Sequence, residues 1–316
     1  MDERSKRTLK IIIGLVVAVL LGTVYSSYLM PQKTHLVFGA TYMTMNNPFY
    51  EVINNELKKE IEKEGDELIV RNPELNIDKQ NEQIEEFISK KVDGIFVNPI
   101  DSSKLTSLES AREAGIPIIA IDASVENKDL IDCVIESDNY DAGVLCAQDM
   151  MKRMQSADIV LLKHSTVESA VSRIQGFVDT IKNYPQYKII DSAECEGQLE
   201  RAMPVMQNIL ERHSKVDVVM SLNDPSALGA LAAIESMKRT NILVYGVDGT
   251  PDLKSLIKQS SLVAGTAAQS PIQFGRLAAK NMYSILNRKD VPEIIEVPVT
   301  IITKDNIDTF NVRGWQ

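Results

Sequence analysis

From residue 34 onward the chain alternates two kinds of segment, and this alternation limits the fold more than any other feature. Short apolar runs mark candidate strands at Leu36–Ala40, Leu68–Arg71, Gly94–Asn98, Ile118–Asp122, Cys133–Ile135, Ile159–Lys163, Lys188–Ser192, Val218–Ser221, Leu243–Val247, Val263–Ala267 and Val299–Thr303. Most are four or five residues of Val, Ile and Leu without polar alternation. That is the pattern of strands covered on both faces of a parallel sheet. The segments between them have helical period. Ile77, Ile84, Phe87 and Ile88 share one face, with Lys79, Glu82, Glu85 and Glu86 largely opposite. Val205, Ile209 and Leu210 repeat the pattern in segment 201–213, and Gly65 and Gly115 each follow a charged helical run that they are expected to stop. Strand–helix–strand repetition at this spacing predicts a doubly wound α/β architecture. Eleven candidate strands exceed what one small sheet usually holds, so two α/β lobes are expected. A chain of 316 residues, 44% apolar, can bury two such cores.

The N-terminus reads differently. Arg4, Lys6, Arg7 and Lys10 precede an unbroken apolar run from Ile11 to Val24, which can be extended to Met30. Basic then apolar is the order of an export signal. The extended run reaches the ~20 residues a bilayer-spanning helix needs. The basic flank orients the N-terminus to the cytoplasm, and Tyr25 and Tyr28 suit the outer interface. Val24 and Ser26 form a poor cleavage site beside those tyrosines, and no cysteine for lipid attachment occurs before Cys133. Residues 1–33 are therefore expected to be a cytoplasmic basic flank and an uncleaved signal anchor. The chain is then a single-pass cell-membrane protein with its globular part extracytoplasmic. Cleavage would leave that part secreted or periplasmic.

Ligands of doubly wound sheets bind beyond the carboxyl ends of the strands. Those ends are polar here. The first strand leads into Thr41-Tyr-Met-Thr-Met-Asn-Asn-Pro-Phe-Tyr50, the fourth ends at Asp122, and Arg173 lies in the helix after the sixth. The eighth ends in Ser221-Leu-Asn-Asp224, the ninth in Asp248-Gly-Thr-Pro-Asp252, and Gln269 follows the tenth. Local readings compete: Asn47 before Pro48 is also a helix N-cap, Asp248 before Gly249 also a turn, and Asp224 before Pro225 also a cap. As a set, the carboxylates, amides and guanidinium supply acceptors and donors for a ring of hydroxyls, and the aromatics supply a face for its C–H groups. A phosphate or carboxylate ligand would call for more cations and fewer acids.

These residues carry a resemblance. Residues 34–305 resemble the ribose-binding group of type I periplasmic binding proteins. The matching pieces, in order, are Asn46–Tyr50, Asp93-Gly-Ile-Phe-Val-Asn-Pro99, Gly115–Asp122, Ser137-Asp-Asn139, Arg173-Ile-Gln-Gly-Phe177, Val205–Asn208, Asn223–Leu231, Val247–Asp252 and Gln269. The resemblance implies two similar α/β lobes, doubly wound on parallel sheets and joined by three crossovers, that close on a ligand between them. It implies an N-terminal lobe of residues 34–137 with 270–298 and a C-terminal lobe of 138–269 with 299–316. It assigns Asn47, Phe49, Tyr50 and Asp122 to the first lobe's share of the site, Arg173, Asn223 and Asp248 to the second's, and Gln269 to a crossover. Three departures leave the sugar open. Ala123 stands where the group often has Arg, Cys195-Glu-Gly-Gln198 has no aromatic where a ring is common, and the loop after the first strand is longer than in the shortest members, which leaves Thr41 and Thr44 without a match.

The expected function is capture of a pentose or hexose for an ABC importer. The alternative is a sugar-sensing subunit for a membrane histidine kinase or other receptor, which the anchor without a lipid-attachment cysteine favours. Nucleic-acid binding is not expected: the net charge is −10, and an apolar run stands where a repressor would carry its basic helix-turn-helix. No enzyme is expected either. No phosphate-binding GxxxxGK[ST], GxSxG or HExxH occurs, and His35, His164 and His213 read as scattered positions at element ends. No cofactor or metal is implied. Cys133, Cys146 and Cys195 fit no CxxC pair and read as small buried apolar residues.

Overall fold

The computed structural model describes residues 14–17 and 35–316. Residues 14–17 are helical. The expected anchor otherwise lies outside the described residues, and among the described residues no helix is long and apolar enough to cross a membrane.

Two six-stranded sheets organise residues 36–316. The first holds β1 (Val37–Thr41), β2 (Glu67–Arg71), β3 (Gly94–Val97), β4 (Ile118–Ile121), β5 (Cys133–Ser137) and β11 (Ile294–Val297), in the order β11-β5-β4-β3-β1-β2. All its neighbours run parallel. The second holds β6 (Ala157–Lys163), β7 (Tyr187–Glu194), β8 (Val218–Ser221), β9 (Leu243–Asp248), β10 (Val263–Ala268) and β12 (Thr300–Thr303), in the order β12-β10-β9-β8-β6-β7. Only β12 is antiparallel there, against β10. Each sheet thus reverses its winding once, between β1 and β3 and between β6 and β8. Such switch points open a crevice at the carboxyl ends.

Within residues 36–316 nine α-helices are described: α1 (Pro48–Lys63), α2 (Ile77–Ser89), α3 (Ser107–Glu113), α4 (Asn139–Arg153), α5 (Glu168–Ile181), α6 (Leu199–Arg212), α7 (Asp224–Ser236), α8 (Pro251–Gln259) and α9 (Pro271–Leu286). Gly65 and Gly115 stop α1 and α3 as expected. Each has positive φ, +84° and +73°, and the following amide reaches back to Ile61 O and to Ala111 O. In α2 the expected apolar face is the inner one, with Ile84 and Phe87 buried. The cysteines are buried and unpaired.

The chain passes from the first sheet to the second between β5 and α4. It returns after β10 into α9, where Gly275 lies against the Ile53 and Leu57 backbone of α1, and crosses a third time at Pro298–Val299, between β11 and β12.

Three readings need correction. Strand β11 has no counterpart in the sequence reading. It is an edge strand between Pro292 and Pro298, alternately exposed, with no apolar run to announce it. Strand β7 is eight residues long and largely unburied, so the candidate at Lys188–Ser192, with only Ile189 and Ile190 apolar, understated it. Asn98 and Asp122 lie one residue beyond β3 and β4: the Asn98 side chain ties Met43 N to Ile121 O, and Asp122 turns to positive φ and lines the pocket.

Candidate functional site

One pocket between the two sheets is lined by Asn47, Phe49, Tyr50, Asp122, Arg173, Asn223, Asp248 and Gln269, together with Met43, His164, Val167, Ser169, Ala170, Glu196, Gly197, Gln198 and Leu222. All eight residues singled out from the sequence meet there.

The first sheet's share begins with a helix start. The Asn47 side-chain oxygen accepts from Phe49 N at 3.0 Å, and Pro48 holds the first-turn φ, so α1 opens with Phe49 and Tyr50 turned inward. Phe49 packs edge-on against Tyr50 (5.6 Å) and Phe274 (5.9 Å) and tilted against Trp315 (5.8 Å), measured between ring centroids. The loop before it is fastened by fully buried Asn98, whose side chain accepts from Met43 N at 3.2 Å and donates to Ile121 O at 3.0 Å. Asp122 follows β4 with φ +70°, a left-handed conformation unusual for a non-glycine residue. Its Oδ2 accepts from the Tyr50 hydroxyl at 3.2 Å.

Arg173 comes from α5. Gly143 of α4 and Gly176 of α5 let these two helices touch: a Cβ at Gly143 would lie 1.9 Å from Arg173 O, and one at Gly176 would lie 2.0 Å from Tyr140 O. This approach places Arg173 Nε 2.8 Å from Asn139 Oδ1, and Nη1 donates to Leu222 O at 3.1 Å. The guanidinium then stands between two carboxylates, with Nη2 3.6 Å from Asp122 Oδ1 and Nη1 3.8 Å from Asp248 Oδ1. All three side chains are at most 6% exposed. Asp122 Oδ1 and Arg173 Nη2 have no hydrogen-bond partner, although both are buried.

Asp248 ends β9 and accepts from Gln269 Nε2 at 2.7 Å, while Gln269 Oε1 accepts from Ser137 Oγ at 2.8 Å. Gln269 therefore links a site carboxylate to the first crossover. Asn223 is the N-cap of α7, accepting from Ser226 N at 3.0 Å and donating to Gly197 O at 3.0 Å. Its second N–H and second oxygen lone pair remain for the pocket.

Asp224 does not cap α7, as its sequence position suggested; Asn223 does. The Asp224 carboxylate is fully buried and accepts from Thr250 N at 2.7 Å and Thr266 Oγ1 at 2.7 Å, behind Asp248. Two buried carboxyls thus flank the guanidinium, and a third, Asp224, lies behind Asp248. Burial raises Asp122, with Arg173 opposing it. Burial pushes Asp224 up to about 6, opposed by the Thr266 hydroxyl. Asp248 is raised well above the carboxylate range by burial and then by Asp224.

Sequence reasoning missed several wall residues. His164 directly follows β6 and lines the pocket, and burial lowers its pKa. The strand-end rule that selected Asp122 and Asp248 selects it equally. Asn139 does not line the pocket but holds Arg173 there; it was visible only within Ser137-Asp-Asn139, and its role depends on the α4–α5 contact. Glu196, Gly197 and Gln198 form a polar wall where a ring was looked for.

Comparisons with known proteins point one way. A family profile described as a periplasmic binding protein domain matches residues 38–290. The ribose import binding protein of Bacillus subtilis is 31% identical over 275 residues, 86% of this chain and 88% of the relative. That of Escherichia coli is 27% identical over 293 residues, 92% of this chain and 97% of the relative. Among solved structures, an ABC transporter solute binding protein of Mycobacterium smegmatis with bound glycerol has a TM-score of 0.83 at 26% identity, covering 87% of this chain and 96% of that one. The binding protein of the arabinose transporter of Shewanella sp. ANA-3, bound to L-arabinofuranose, has a TM-score of 0.81 at 25% identity, covering 86% and 93%.

Proposed function

Because the chain belongs to the type I periplasmic binding proteins, in their ribose-binding group, we propose that it is an extracytoplasmic receptor for a pentose or hexose, which it delivers to the permease of an ABC importer. One observation carries the reading. A buried donor, Arg173 Nη2, and a buried acceptor, Asp122 Oδ1, face each other 3.6 Å apart from the two lobes, and neither has a hydrogen-bond partner. Leaving both bare is unfavourable, and a hydroxyl that accepts from one and donates to the other relieves both at once. Asp248, Asn223 and Asn47 offer further hydroxyl partners, and Phe49 and Tyr50 a ring face. The relatives' named ligands, ribose, xylitol and arabinofuranose, are all small polyols.

A ligand that touches both lobes binds the closed form better and shifts the population toward it. Crossovers at 137–139, 269–270 and 298–299 divide the chain into the lobes 34–137 with 270–298 and 138–269 with 299–316, and closure rotates these about the crossovers. Residues 11–30 tether the receptor to the cell membrane. That tether favours a second reading, in which the closed form signals to a membrane kinase or other receptor.

Calorimetry of the full chain against a monosaccharide panel tests the ligand class. The expected dissociation constant is about 1 μM, equivalent to ~8 kcal/mol. Binding to amino acids alone, or to no sugar, refutes the proposal. Loss of sugar uptake on deleting the gene supports import. Retained uptake with loss of a sugar-induced transcriptional response supports sensing.

A further inference from the structure

Residues 311–316 sit directly behind the pocket. They are anchored by Lys254 of α8, a fully buried ammonium whose Nζ donates to Asn311 O at 2.9 Å, Gly314 O at 2.6 Å and Gln316 Oε1 at 2.8 Å. Three acceptors match its three protons, so the segment is folded around this cation. Two contacts run from it to the pocket. The Gln316 side-chain amide faces the main-chain carbonyls of Gln269 (2.8 Å), Asp248 (3.2 Å) and Gly249 (3.4 Å), which share its two N–H groups. The Trp315 ring rests on Phe49, 5.8 Å between centroids. Lys254, Asp248 and β12, which leads into the segment, belong to the second lobe, whereas Phe49 belongs to the first.

We infer that Trp315 and Gln316 are positioning residues of the binding site: Gln316 sets the backbone that presents Asp248 and Gln269, and Trp315 sets the ring of Phe49 across the lobe boundary. The inference rests on the sugar-receptor reading of the same pocket. Its physical basis is that neither Asp248 nor Phe49 is held by its own element alone. Asp248 has φ 138°, a backbone region that non-glycine residues avoid, and its carbonyl is one of those Gln316 engages. Phe49 lies in the first turn of α1, and three other rings fix its orientation, one of them Trp315. The Phe49–Trp315 contact spans the lobes, so it strengthens when they close and contributes to the preference for the closed form.

Trp315 is the sole tryptophan of the chain, so its emission reports on this contact. The full chain is titrated with D-ribose, D-allose and L-arabinose by fluorescence and by calorimetry, alongside Trp315→Ala, Trp315→Phe and Gln316→Ala, with a thermal melt of each. The expected result is an emission change in the parent that saturates at the calorimetric affinity. Both alanine variants weaken binding about 10-fold, as loss of supporting residues behind a site does, and Trp315→Phe restores most of the loss. Alanine variants that melt lower yet bind like the parent overturn the inference, as does emission indifferent to saturating sugar. A parent that binds no sugar in calorimetry overturns the receptor reading and this inference with it.

Discussion

Replacing Arg173 with methionine keeps much of the side-chain length and removes the cation between Asp122 and Asp248. Two hydrogen bonds go with it, to Asn139 Oδ1 at 2.8 Å and to Leu222 O at 3.1 Å. Each bared acceptor costs about 1–3 kcal/mol of stability if water does not reach it. A bound sugar loses a charge-assisted donor at the centre of the site, roughly 2–4 kcal/mol, or about 30- to 1,000-fold in affinity. The pH dependence has a definite sign. Asp122 and Asp248 are already raised by burial, with Arg173 opposing the rise. Without the guanidinium they rise further. An acid whose folded pKa exceeds its unfolded value contributes full stability below the unfolded value and loses it as pH climbs through the folded one. The variant should therefore be destabilised least near pH 4 and most near pH 8. Calorimetry with the parent's preferred sugar and thermal melts across that range check both parts. Affinity within about 3-fold of the parent would show that the sugar does not engage Arg173. A destabilisation larger at pH 4 than at pH 8 would show that its role is not to balance the carboxylates.

Gly176→Ala should lower both stability and sugar affinity, because a Cβ 2.0 Å from Tyr140 O forces α4 and α5 apart and draws Arg173 away from Asn139; overpacking of this kind costs about 1–3 kcal/mol, read by denaturant melts and calorimetry. Asp224→Ala should destabilise by more than the ~1 kcal/mol of a lost cap, since it bares Thr266 Oγ1 and Thr250 N inside the core; a change of a few tenths in a urea melt would argue against that network. Glu136, pushed up to about 7 by burial and by Glu168, should make the parent progressively less stable as pH rises from about 4.5 to 7, and Glu136→Gln should flatten that slope. Small-angle scattering of the full chain should show a smaller radius of gyration at saturating sugar, and an unchanged radius would exclude lobe closure as the output.

The doubly wound architecture was legible before any coordinates because its strands are buried on both faces and therefore read as unbroken apolar runs. Val218–Ser221 was placed to the residue for that reason. Strand β11 was invisible, because an edge strand with one neighbour and alternating exposure needs no such run. The polar strand ends were legible as well, since the topology rule says where to look. What each end does was not. Neighbouring Asn223 and Asp224 are interchangeable as caps in a linear reading, and only the fold turns one to the helix start and the other to Thr266 and Thr250.

Long-range contacts decided the rest. Nothing near Arg173 in the chain says that it faces Asp122 and Asp248. That follows from two glycines, 143 and 176, which bring separate helices into contact. His164 reads in the sequence as one of three scattered histidines at element ends, and only the fold brings it to the pocket. Residues 311–316 carried no signal, because their meaning lies in a buried lysine some sixty residues earlier in the chain. The sequence by itself determined the layers, the winding and the chemistry available at the strand ends, since these depend on local burial and local turn geometry. Only the tertiary structure decided which of those groups share the pocket, which are consumed by the scaffold, and which two are left unpaired, because hydrogen-bond satisfaction depends on neighbours that the chain brings together only when it folds.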